Sequence, residues 1–169
     1  MSMVGFKAQN HPQQSAKRGA VDHVDDRRTP PEVVAIAAEM ADGPFTLDVA
    51  ASAANAQCAD FFTLADDGLA QPWHGRVWCN PPYSDCSAWV RKASDEWAAG
   101  RTEAIAMLLP ANRTEQAWWQ DFIEPNRGPW DRLRVKFLRG RTRFGHPEGW
   151  QIPVKGDRPP FGLCLVVWS

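Results

Sequence analysis

Arg76-Val77-Trp78-Cys79-Asn80-Pro81-Pro82-Tyr83 is the stretch that decides the fold. The run at 76–79 reads as a short strand buried in a sheet. Two adjacent prolines cannot continue a central strand, because proline has no N–H to give the ladder and its ring fixes φ. The strand must therefore end at about Asn80, leaving an amide, an exposed carbonyl and the one tyrosine of the chain in a stiff turn at the sheet rim. Beyond it, from about residue 85, Cys86, Trp89, Val90, Ala93 and Trp97 recur at helical spacing until Gly100.

The same alternation continues outward. Residues 104–109 form an unbroken apolar run stopped by Pro110, as expected of a strand buried on both faces of a parallel sheet. Thr114 to Ile123 is expected to be a helix, with Trp118, Trp119, Phe122 and Ile123 apolar and Pro125 ending it. Upstream, Thr29 is suited to cap a helix entered through Pro30 and Pro31. Val33, Ile36, Ala37 and Met40 lie on one face of that helix, which Asp42-Gly43-Pro44 stops. A short strand is expected at 45–49, a brief apolar segment at Phe61-Phe62, a turn at Asp66-Asp67-Gly68, and strands at 132–138 and 162–168. Strands alternating with helices imply a layered α/β fold with a mostly parallel sheet. Such sheets bind ligands at the carboxyl ends of their strands, where Asp48 and Asn80 both fall.

Bulk properties set the class. A chain of 169 residues, 44% apolar and 23% charged, suits one globular domain. That domain is expected at 28–169, preceded by a polar, aperiodic arm at 1–27. No window is long and apolar enough to cross a membrane and no apolar signal region opens the chain, so a cytoplasmic protein is expected. A net charge of −1 neither favours nor excludes nucleic acid. Cys58, Cys79, Cys86 and Cys164 form no C-x-x-C pair, and the spacing supports reduced cysteines and no metal site. His74 and His146 read as surface or loop residues.

The turn has specific chemical capability. An exocyclic amino group on a planar base is a poor nucleophile, because its lone pair is delocalised into the ring. Acceptors around its two N–H bonds favour a pyramidal nitrogen that can attack. The Asn80 side-chain oxygen and the Pro81 carbonyl could be those acceptors, with Pro82 restricting Pro81 to extended geometry. Tyr83 would stack on the base, which is worth roughly 1–3 kcal/mol. Taken alone, the four residues are equally a rigid turn after a strand.

Their neighbours add a resemblance. Thr29-Pro30-Pro31-Glu32-Val33-Val34, then Phe45-Thr46-Leu47-Asp48-Val49-Ala50-Ala51-Ser52 with Asn55 and Phe61-Phe62, then Asp66-Asp67-Gly68-Leu69, Trp73 and Trp78 through Ser84, with Trp89-Val90, occur in one order. In these patches the chain resembles the N6-adenine DNA methyltransferases, most closely the small phage-encoded Dam-type group. A weaker echo follows at Phe137-Leu138-x-Gly140-Arg141-x-x-Phe144. The resemblance implies a compact Rossmann-like fold, S-adenosylmethionine as methyl donor, no metal, and methylation of adenine N6 in DNA inside a bacterial host. It also implies a phage or prophage origin and a possible link to restriction-modification. Asn80, Pro81, Pro82 and Tyr83 would be catalytic. Thr29 and Asp48 would hold the methionine end of the cofactor, with Pro30, Ala50, Asn55 and Asp67 around it. Two departures stand out: Ala-Ala-Ser replaces the glycine-rich loop of larger relatives, and Asp60, Asp66 and Asp67 compete for the ribose. Asp48 and Thr29 also have plain local uses, as a turn cap and a helix cap.

A DNA substrate requires cationic surface, since an enzyme acting on a base in a duplex must extrude it. Arg132, Arg134, Lys136, Arg139, Arg141 and Arg143 supply six cations in twelve residues without an acid. Arg132, Arg134 and Lys136 alternate with Leu133, Val135 and Phe137 and so share one face of a strand. The same pattern also protects an edge strand from aggregation. The 145–160 loop, with Trp150, Lys155 and Arg158, could enter a groove, but the target sequence is not readable. Rival readings are methylation of an RNA or protein-glutamine amino group, or a DNA-binding module with a decayed cofactor site.

Overall fold

In the computed structural model, residues 28–128, 132–145 and 158–169 are described. The expected arm at 1–27 and residues 146–157 of the expected loop lie outside them. Ten residues after Thr29-Pro30 form α1 (Pro31–Met40). It is followed by β1 (Leu47–Asp48), β2 (Asp60–Phe61) and β3 (Gly75–Cys79), then α2 (Cys86–Ala98), β4 (Thr102–Pro110), α3 (Ala117–Phe122), β5 (Leu133–Phe137) and β6 (Leu163–Trp168).

One sheet carries these strands in the order β2-β1-β3-β4-β6-β5. The pairings β1–β2, β1–β3 and β3–β4 are parallel. β6 is inserted antiparallel between β4 and β5, so every other strand points one way. The mostly parallel α/β architecture expected from the alternation is present. Because side chains alternate across a sheet, each strand feeds two cores. One face packs Val77, Cys79, Ile105, Met107, Leu109 and Val166 under α2 and α3. The other packs Trp78, Ala106, Leu108, Leu165 and Val167 under Val33 and Ala37 of α1 and Ala41 just after it.

Several boundaries differ from expectation, each for a local reason. Thr29 is not the cap of α1: Pro30 occupies that position without a side-chain cap, and the buried Thr29 hydroxyl meets Asn80 instead. The strand expected at 45–49 is regular only at 47–48, although Thr46 and Val49 still donate to the Arg76 and Trp78 carbonyls. α3 begins at Ala117 rather than Thr114, because Gln116 N–H closes a turn on the Arg113 carbonyl. Pro110 is the last residue of β4 rather than its stop, and Ala111 N–H still reaches the Gly162 carbonyl.

Gly68 locks the 66–69 turn onto β1. A Cβ there would be driven into the Val49 carbonyl oxygen, and the tip of Trp89 lies just beyond. The Gly68 carbonyl accepts the Trp73 indole N–H at 2.8 Å, and Trp73 stacks on Trp89. Gly68→Ala is therefore expected to cost about 2 kcal/mol or more, in the range of overpacked cores. Urea denaturation checks this; an unchanged midpoint would mean that the turn can move away from β1 freely.

Candidate active site

The site forms where the parallel strands end. Asp48 pairs in register with Trp78, which sets it two residues before Asn80 on the neighbouring strand. Strand spacing and rise then separate their Cα atoms by about 8 Å. α1 starts at this rim and runs back across the sheet, with its last turn near the beginning of β3, where Arg76 Nε donates to the Ala41 carbonyl. The start of α1 thus delivers Thr29, 2% exposed, directly to the Asn80–Tyr83 turn. Asn80 Nδ2 donates to Thr29 Oγ1 at 3.4 Å, across 51 residues of chain. That contact engages the nitrogen end of the amide. The oxygen end, Oδ1, is buried and has no hydrogen-bond partner among the described residues. Leaving a buried acceptor unpaired costs roughly 1–3 kcal/mol, so such an atom calls for a ligand.

The turn around Asn80 is firmly held. Pro82 accepts from Asp85 N–H at 3.0 Å, and the Tyr83 carbonyl accepts from Arg113 Nη1 at 2.6 Å and from the Cys86 thiol at 3.6 Å. No described hydrogen bond ends on the Pro81 carbonyl, so among the described residues neither expected acceptor is engaged. Tyr83, expected to stack on a base, is itself packed firmly in place. Its ring packs against the cores of both sheet faces and tilts onto Phe161, centroids 5.9 Å apart. Its hydroxyl is buried without a partner among the described residues. Burial pushes that phenol well above its ordinary pKa, so it stays neutral.

The Asp48 loop is built for close approach. Asp48 is 2% exposed, and its carboxylate accepts from Ala50 N–H at 3.3 Å and Gln57 N–H at 3.0 Å. Burial raises its pKa to about 6, against the pull of those two hydrogen bonds. No described cation pairs with it. Asn55 is buried and its Oδ1 accepts from Ser52 N–H at 2.7 Å, shaping the Ala50-Ala51-Ser52 bend. Ser52 Oγ is another buried atom without a described partner. Of the three acids considered for a ribose, Asp66 is committed to Thr63 through its N–H and hydroxyl. Asp67 sits at φ 54° and caps Leu69 N–H, and Asp60 pairs with Leu47 on β2.

Desolvation raises the buried thiols, Cys86 to about 11 and Cys164 to about 12. All four cysteines are free, and these two are held as neutral thiols at neutral pH.

The six expected cations divide. Arg134 binds the Met40 carbonyl at the end of α1 and the Ser169 hydroxyl at 2.6 Å, with Asp42 3.7 Å away. It complements the C-terminal dipole of α1 and lies three strands across the sheet from Asn80, level in register with Trp78. Arg132 precedes it, and its carbonyl accepts from Ser169 N–H. Lys136 is exposed near the carboxyl end of the edge strand, level in register with Leu165 and Leu108. Arg139, Arg141 and Arg143 follow β5 on the rim side. Their segment is tied to the start of α1 by reciprocal hydrogen bonds between Arg28 and Gly145, 3.0 and 2.8 Å long, and by buried Phe144. Sequence reading missed Gln57, Arg113 and Phe161. Arg113 had a usable signal: it lies three residues beyond a buried strand, in the loop at the same carboxyl end that carries Asn80.

Comparison with known proteins bears on the whole rim. A family described as DNA N-6-adenine-methyltransferase (Dam) matches residues 17–148, which span α1 through β5 and begin within the stretch expected as an arm. A DNA N-6-adenine-methyltransferase of Escherichia phage T1 is 37% identical over 95 residues, covering 55% of this chain and 38% of that protein. The match thus spans well under half the length of that relative. No solved structure matches. Among the described residues, no helix is long and apolar enough to cross a membrane.

Proposed function

The chain belongs to the DNA N-6-adenine-methyltransferase (Dam) family, and from that premise we propose that it moves a methyl group from S-adenosylmethionine to the N6 amino group of adenine in DNA. The observation that carries this reading is the buried Asn80 oxygen, which like the Pro81 carbonyl has no partner among the described residues, with Thr29 engaging the other end of the amide. Two acceptors so arranged suit the two N–H bonds of one amino group. They draw the nitrogen lone pair out of ring conjugation and stabilise the positive charge that develops as the new C–N bond forms. The amino nitrogen takes the methyl as its bond to the sulfonium sulfur breaks, leaving a neutral thioether, and then gives one proton to solvent to become a secondary amine.

The residues present fit the donor. S-adenosylmethionine, when bound, supplies an already activated methyl on a sulfonium. Asp48, buried and lacking a described cation, suits its α-ammonium group. Thr29 and Pro30 suit the same methionine end, and the small Ala50-Ala51 bend, shaped by Asn55, lets backbone approach closely. The Ser52 hydroxyl, buried without a described partner, and the exposed Asp67 are further polar groups suited to the rest of the donor. Residues 28–169 serve as one catalytic unit in the cytoplasm of a host bacterium, and Arg139, Arg141 and Arg143 meet the DNA backbone.

Incubation with tritiated S-adenosylmethionine and, separately, duplex DNA, RNA and protein tests the assignment. Label is expected in DNA alone, recovered after digestion as N6-methyldeoxyadenosine. Label in RNA or in protein glutamine, or none anywhere despite cofactor binding, would overturn it in favour of the corresponding rival.

A further inference from the structure

Arg113 lies on the same rim in the loop between β4 and α3, and its surroundings are unusual for a cation. Its side chain is half-buried, yet its described partner is a neutral group, the Tyr83 carbonyl, at 2.6 Å. None of the ion pairs among the described residues includes it. A guanidinium carries five N–H donors in a rigid fork, and the described hydrogen bonds use one. Nor does the turn need a charge for support, because Asp85 N–H already holds the Pro82 carbonyl and the Cys86 thiol reaches that of Tyr83. A cation partly removed from water without a counter-ion is costly, so its retention points to an anion that arrives with the substrate. The loop is anchored for the task by Ala111 N–H on the Gly162 carbonyl, next to Phe161 and its contact with Tyr83.

We propose that the open side of the Arg113 fork binds a backbone phosphate of DNA beside the extruded adenosine, so that one side chain couples strand position to the Asn80–Tyr83 turn. This rests on the reading of the protein as a DNA methyltransferase. An extruded base enters a pocket while its sugar and phosphates stay at the mouth, which is where this loop lies. Arginine suits the role because its planar fork spans a carbonyl and a phosphate oxygen together, whereas lysine offers only a point charge. Arg113 is thus a positioning residue.

The experiment compares wild type with Arg113→Gln, Arg113→Lys and Arg113→Ala. It measures duplex affinity over a series of potassium chloride concentrations, cofactor affinity, and turnover with its KM for DNA. Arg113→Gln can still donate to the Tyr83 carbonyl but lacks charge. It is expected to weaken DNA binding about tenfold and flatten the plot of log affinity against log salt by about one. KM for DNA rises and cofactor affinity stays at the wild-type value. Arg113→Lys keeps the salt slope but loses turnover. Arg113→Ala loses both, and if it fails to fold the glutamine and lysine variants still decide the matter. A salt slope in Arg113→Gln equal to that of a wild type that does methylate DNA overturns this role alone. No methyl in DNA from the wild type overturns the parent reading.

Discussion

Asn80→Ala is expected to lose turnover by roughly 10²–10³-fold, the scale seen when one preorganised group facing transition-state charge is removed. Cofactor affinity should be largely kept, since no described bond links Asn80 to the Asp48 loop and its contact with Thr29, at 3.4 Å, is long. Stability should move the other way. The wild-type fold carries a buried amide oxygen without a described partner, and removing it relieves a desolvation cost that only substrate offsets. The variant should therefore melt no lower than wild type while transferring almost no methyl, a trade-off expected where function requires an unsatisfied group. Thermal melting and single-turnover label transfer on one preparation check both halves. Near wild-type turnover would remove Asn80 from the chemistry. Lost turnover that merely follows a lowered melting temperature would reassign it to the fold.

The parts of this molecule that were legible in sequence are those specified by local covalent chemistry. Pro81 and Pro82 cannot continue β3, so the end of that strand and its place at the rim follow from proline itself. The run from Ala104 to Leu109 is apolar at every position, and that pattern survives only between two covered faces. The stripe at Cys86, Trp89, Val90 and Ala93 is buried as its spacing implied. Choices made through long-range pairing were not legible. Nothing in residues 163–168 announces that they insert antiparallel between β4 and β5, because alternation fixes a face but not a neighbour. Arg134 illustrates the same limit: its face was correct, but its engagement with the Met40 carbonyl depends on α1 ending beside it. Thr29 is a case of competing uses for one hydroxyl. A local rule assigned it to its own helix, whereas the fold brings it to Asn80 across 51 residues.

Asp48 should make cofactor binding depend on pH in a defined window. Burial raises its pKa to about 6 from an ordinary 3.8, so between these values the folded protein holds a proton that the unfolded chain has released. The stability contributed by the protonated form is complete below about pH 4 and is lost as pH rises through 6. About two pKa units correspond to roughly 3 kcal/mol by neutral pH. The free energy of unfolding of wild type relative to Asp48→Asn should fall by that order between pH 4 and 7.5. An ammonium group bound beside Asp48 reverses the sign, because it favours the carboxylate and pulls the pKa down. Cofactor affinity should therefore drop about tenfold from pH 7 to pH 5, a window in which an α-amino group remains protonated, and level off above 7. Asp48→Asn should bind S-adenosylmethionine roughly 100-fold more weakly, as breaking a buried charge pair costs several kcal/mol, and with no step near pH 6. Calorimetric titrations at pH 5, 6 and 7 decide the point. A flat profile in the wild type would show that the ammonium group is held elsewhere, and the desolvation cost carried by Asp48 would then need another ligand to explain it.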